Sequence, residues 1–180
     1  MPLLLMLHGG GGDENYHPDL DNGAVKQILS KRPYVMLSPR STSWYEGPGL
    51  DDLVQLIQET LENYGKTDAS RVYSTGVSRG GWGSFQLALH DPDLLAGIAC
   101  VSSAPNITKE IEKLRGMPML FINGGADVVV DPDRARKMSK QLEARGIPHR
   151  LKIYPEAGHE YNTEEYLNLS LDFFEGKDDS

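Results

Sequence analysis

Apolar residues along the chain fall into two spacings. Short apolar, β-rich runs predict strands near 3–7, 34–38, 71–75, 96–102, 118–122 and 150–154. Between them, apolar positions recur with helical period and predict helices near 22–31, 50–64, 79–90, 106–114, 132–145 and 163–175. The run Leu3 to Leu7 is apolar at every position, which suits a central strand covered on both faces. In segment 50–64, Leu50, Leu53, Leu56, Ile57 and Leu61 share one stripe, as in a helix lying on a sheet. Strand and helix alternate along the chain without an internal repeat. The pattern therefore predicts one doubly wound α/β domain over residues 1–180, a mostly parallel sheet of about six strands with helices on both faces. In such sheets the chemistry belongs on loops leaving the carboxyl ends of the strands.

Composition narrows the function. At 180 residues and 39% hydrophobic content the chain can bury one core. Lysine and arginine total 18 against 26 aspartates and glutamates, a formal net charge of −8 with no basic block, so no nucleic-acid partner is expected. The apolar run Leu3 to Leu7 is too short to cross a membrane and follows no basic segment, which predicts a soluble, cytoplasmic protein without a membrane partner. The one cysteine, Cys100, lies in an apolar stretch and is expected to pack rather than react. A dinucleotide loop starting at Gly9 would need glycine where Glu14 stands. A phosphate loop ending at Gly65-Lys66-Thr67 would need one where Thr60 stands. Neither HExxH nor paired cysteines occur, so no metal or other cofactor is expected.

One motif carries chemistry. Gly76-Val77-Ser78-Arg79-Gly80 fits G-x-S-x-G and stands between a predicted strand and a predicted helix, the context of a nucleophile elbow. There the chain turns sharply around a strained serine, which small residues two before and two after make room for. The serine needs a base, and the base a carboxylate. With the order Ser, acid, His, the bases are His149 and His159. His149 precedes the last strand and so lies at the wrong end of the sheet, whereas His159 follows it. Asp127, Asp131 and Asp133 follow the fifth strand. Asp131 precedes Pro132 as a helix N-cap would, leaving Asp127 as the acid. The oxyanion donors are the Arg79 amide and a glycine amide from LHGGGGD, Gly10 first and Gly11 second, with His8 ordering that loop.

Together LHGGGGDE, LSPRSTSWYEG, RVYSTGVSRGGWGSFQLAL, FINGGADVVV and YPEAGHEY, in this order, resemble the α/β-hydrolase superfamily. Within it the chain is similar to small carboxylesterases and predicted-peptidase-like esterases related to polyhydroxybutyrate depolymerases and feruloyl esterases. The resemblance implies a minimal α/β-hydrolase fold, with Ser78, Asp127 and His159 as the triad and oxyanion amides near Gly10 and Arg79. It also implies a serine hydrolase that cleaves small-molecule carboxylic esters through an acyl-enzyme. The alternatives are a peptidase or thioesterase with the same triad, or a non-catalytic ligand-binding protein on the same fold. Arg79 stands where methionine, glutamine or leucine is expected. No lid domain fits between Val101 and Met119, so an open site is expected, with Trp44 and Tyr45 contacting substrate. Larger members carry further strands ahead of the first one here. Segment 34–38 is therefore expected to be a sheet edge through which a homodimer could pair.

Overall fold

The computed structural model describes residues 1–41, 45–159 and 162–177. Within them lie six strands: β1 (Leu3–Leu7), β2 (Val35–Leu37), β3 (Val72–Val77), β4 (Gly97–Val101), β5 (Met119–Gly124) and β6 (Arg150–Tyr154). They pair in parallel in the order β2-β1-β3-β4-β5-β6. The helices are α1 (Tyr16–Asp19), α2 (Ala24–Leu29), α3 (Pro48–Asn63), α4 (Arg79–His90), α5 (Pro132–Glu143) and α6 (Thr163–Phe174). This is the parallel α/β sheet expected from the apolar pattern, in the α/β-hydrolase-like form that the resemblance implies.

The residues of β1 explain its place. All five are wholly buried. Leu3, Leu5 and Leu7 join one core with Leu53 and Ile57 of α3, Phe85 of α4 and Met138 of α5. Leu4 and Met6 join the other with Val25 of α2 and Leu167 and Leu171 of α6. Alternation along a strand thus feeds two separate cores. Because β2 and β3 flank β1 on opposite sides, the chain changes direction across the sheet there, and a crevice opens at the carboxyl ends of β1 and β3.

Two local differences from the pattern have physical causes. Segment 106–114 tightens to a short 3-10 helix, Lys109–Leu114, entered through Thr108, whose hydroxyl accepts the Glu110 N–H at 3.3 Å. Among the described residues, this short element is the only helix between β4 and β5, so no lid domain stands there. Segment 16–23 forms α1 and a tight turn at Leu20–Gly23, which no periodicity announced. Asp21 and Asn22 there take left-handed backbone, φ 47 and 55, a region their short polar side chains tolerate better than most.

The first turn of α4 touches β1 backbone to backbone. A Cβ on Gly80 would stand 1.9 Å from the Leu7 carbonyl oxygen, and one on Gly76 would stand 2.5 Å from the Gly80 carbonyl carbon. Glycine costs helix stability, about 1 kcal/mol. Here contact geometry outweighs propensity. At the other side of β1, the edge strand β2 pairs over only three residues, Val35, Met36 and Leu37, each half-buried.

Gly80→Ala should destabilise the fold by about 3 kcal/mol or leave it unfolded, because the clash is with backbone that cannot rotate away. Gly116→Ala, at a site with open space, should stay within about 0.5 kcal/mol in the same urea titration. Concentration-dependent sedimentation velocity tests the edge. Dimerisation through β2 should be abolished by Met36→Lys, and a monomer at every concentration would exclude that pairing.

Candidate active site

Ser78 sits between β3 and α4 with φ 57 and ψ −112, a conformation that costs a non-glycine residue about 1–3 kcal/mol. Its amide donates to the Val101 carbonyl at 2.8 Å, and its own carbonyl accepts from Trp82 N–H at 3.0 Å as α4 begins. The half-buried serine therefore stands at the helix end whose field favours negative charge. Arg79 is the first residue of α4.

The glycine loop after β1 lies against this elbow. A Cβ on Gly9 would come within 3.3 Å of the Val77 carbonyl oxygen and 3.7 Å of Ser78 Cβ. The next residue, Gly10, is exposed. Gly12 N–H donates to the Gly9 carbonyl at 3.2 Å, closing the turn. His8 holds the loop from below. Its Nδ1 lies 2.8 Å from the Gly9 carbonyl oxygen, and its Nε2 accepts the Ser41 N–H at 3.1 Å, which places the ring proton on Nδ1.

His159 and Asp127 meet although 32 positions apart: His159 Nδ1 stands 2.9 Å from Asp127 Oδ2. The other carboxylate oxygen, Oδ1, accepts the amides of Val129 at 2.8 Å and Val130 at 2.9 Å. Burial pushes the Asp127 carboxyl up. The two amides and the His159 ring outweigh it and hold the group below the usual carboxylate range. The carboxylate is thus fixed by partners on both oxygens. Asp131 instead accepts the Asp133 N–H at 2.9 Å as the N-cap of α5. His149 bonds to Ser139 at 2.7 Å and to the Ile147 carbonyl at 3.0 Å, before β6 begins. Ser78 Oγ and His159 make no hydrogen bond to each other in this structure.

Tyr45 is a correction. Expected to contact substrate, it is 2% exposed, its hydroxyl donating to the His8 carbonyl at 3.2 Å and its ring so close to α4 that a Cβ on Gly83 would come within 2.7 Å of it. Burial pushes its hydroxyl pKa up. The ring is a packing element between α4 and the glycine loop, because that glycine leaves a ring-shaped gap. Trp44 lies outside the described residues.

Sequence reasoning missed Ser102. Wholly buried after β4, with φ 49, it donates its hydroxyl to the His159 carbonyl at 2.7 Å. Only its place at the carboxyl end of a strand could have pointed to it. A pocket of about 170 Å³ opens beside these groups, walled by Leu20, Val77 and Val101 with Tyr16, Tyr166 and His159. Among the described residues, no group of three metal-ligating side chains gathers. None of the helices described is long and apolar enough to cross a membrane.

Comparison with known proteins adds to the geometry. The sequence profile described as the Dienelactone hydrolase family matches residues 34–169. A Yersinia pestis protein with the provisional name carboxymethylenebutenolidase is 26% identical over 171 residues, 91% of this chain and 57% of that protein. The chain spans only about half the length of the curated relatives it matches. Arabidopsis thaliana SOBER1 superposes with a TM-score of 0.76 at 20% identity, covering 98% of each chain. A thermostable esterase superposes at 0.72 with 26% identity, covering 85% of this chain and 46% of that one.

His17 of α1 yields a prediction. It is wholly buried, and neither ring nitrogen reaches a partner with hydrogen-bond geometry. Burial pushes it from 6.5 down to about 4, outweighing the nearby Leu7 carbonyl, which favours the charged form. As pH falls below 6.5 the unfolded chain takes up this proton, while the folded one refuses it until about pH 4. Stability should therefore drop across that window, by about 3 kcal/mol from this residue. Urea unfolding from pH 7 to pH 4 should show the slope in the wild type and a flatter one in His17→Leu.

Proposed function

The chain belongs to the Dienelactone hydrolase family, and we propose that within it the chain acts as a serine hydrolase that cleaves carboxylic esters through an acyl-enzyme. The observation that carries the reading is the buried Asp127 carboxylate holding His159 Nδ1 at 2.9 Å, on a sheet end shared with the strained Ser78. Ser78 Oγ attacks the ester carbonyl carbon and its proton passes to His159 Nε2. The contact between them tightens when substrate fills the site, as resting catalytic contacts commonly do. Asp127 keeps the proton on Nδ1 in the resting ring and stabilises the imidazolium that forms. The amides of Gly10 and Arg79 receive the oxyanion. Collapse expels the alcohol with the proton from His159. Water, deprotonated by the same ring, then attacks the acyl carbon, releases the acid and restores Ser78. The esterase name of one structural neighbour and the butenolide, a cyclic ester, in the relatives' provisional name agree with this reading.

The pocket beside His159 supports a compact substrate. A cavity of roughly 150 Å³ holds benzene, so about 170 Å³ takes a ring or short chain on one side of the scissile bond, not a long acyl tail.

A fluorophosphonate probe should modify Ser78 in the wild type and leave Ser78→Ala untouched. A folded, unreactive wild type would sink the proposal. Ser78→Ala, His159→Gln and Asp127→Asn should lower kcat by about four to six orders of magnitude, the aspartate less than the others. Two ester series, one graded in acyl length and one in alcohol length, should show kcat/KM falling about tenfold in one of them once that group outgrows a six-membered ring. Flat profiles in both would refute the pocket assignment while leaving the labelling result to decide the chemistry.

A further inference from the structure

Two consecutive residues, the last of β4 and the one after it, touch the backbones of both halves of the candidate machinery. The Val101 carbonyl accepts the Ser78 N–H at 2.8 Å, and the Ser102 hydroxyl donates to the His159 carbonyl at 2.7 Å. Between these two bonds lies a single peptide unit, which is planar and stiff. The dipeptide is itself anchored, since Ser102 N–H donates to the Ile122 carbonyl of β5 at 2.7 Å. We propose that Ser102 is a positioning residue, whose hydroxyl, acting with the Val101 carbonyl, fixes the spacing between Ser78 and His159. The inference rests on the serine-hydrolase reading of those two residues.

Three observations make this more than a buried serine finding a partner. The backbone of Ser102 is left-handed, φ 49, a conformation that glycine takes at no such cost. Strain of this kind persists where surrounding structure demands it, and it clusters at functional sites. On its other side the loop bearing His159 is tied to the β5 end by Asp127 through the ring Nδ1 at 2.9 Å, and by backbone through Ala126 N–H to the Ala157 carbonyl at 2.9 Å and Gly125 N–H to the Tyr154 carbonyl at 2.8 Å. Those contacts set the height of the loop over β5. Among the described residues, the one side-chain bond to the His159 backbone comes from Ser102, directly after β4, the strand next to the nucleophile's own. Ser78 and His159 also make no direct hydrogen bond in this structure, so their separation depends on what each is tied to. The chain Ser78, Val101, Ser102, His159 is the short connection between them.

Ser102→Gly separates the hydroxyl from the backbone. It removes the bond to His159 and relieves the left-handed strain, so a merely structural role predicts activity at or near wild type. The proposal predicts a kcat lower by about 10- to 100-fold with KM within about twofold, and a Tm no lower than that of the wild type. Ser102→Ala, which keeps the strained backbone and loses the hydroxyl, should match the glycine variant in kcat and be lower in Tm. The fluorophosphonate labelling rate of the folded fraction should fall in parallel in both. Wild-type kcat or wild-type labelling in either folded variant would overturn the proposal. If the wild type itself were folded but not labelled at Ser78, the hydrolase reading would fail instead, so the two failures are distinguishable.

Discussion

The carbonyl oxygen of Leu7 occupies the space that any side chain at position 80 would need, and on that contact the rest of the site depends. It lets the first turn of α4 lie directly on the end of β1. The glycine loop that continues from β1 then passes over the elbow, close enough for Gly9 to approach Ser78 Cβ. Ser78, a helix end and a row of backbone amides are brought together by backbone packing before any polar side chain takes part. The strain at Ser78 is the local consequence, offset by two buried cores that hold β1 from both faces.

Polar contacts then act on a frame already set. Asp127 is buried yet stays ionised, because amides two and three residues ahead turn back onto one oxygen while His159 takes the other. A carboxylate bound this way does not wander, so the imidazole it holds has one tautomer and one orientation. His8 does comparable work for the glycine loop through its two ring nitrogens, and Tyr45 supports it from beneath through the His8 carbonyl. Several of the residues around the site thus serve its geometry and never face the pocket.

Much of this was legible in the letters. Short apolar, β-rich runs located the six strands described, and helical periodicity located the long helices, because both follow from which neighbours along the chain must be buried together. G-x-S-x-G between strand and helix marked the elbow for the same reason: the glycines answer a clash only a few residues away. Asp131 before Pro132 read as a cap because capping is local. Segment 16–23 escaped, since Asp21 and Asn22 adopt left-handed backbone that leaves no periodicity.

What the sequence by itself determined was the identity of the elements and the residue types gathered at their ends. Tertiary structure alone decided how Asp127 meets His159, at 2.9 Å with its other oxygen tied to two amides, that Tyr45 fills the gap over Gly83, and that Ser102 reaches the His159 carbonyl. Each of these pairs joins residues far apart in the chain, and their meeting depends on strand order and register across the sheet. Local propensity carries no information about that order, which is set only when the apolar faces of the whole chain are buried at once.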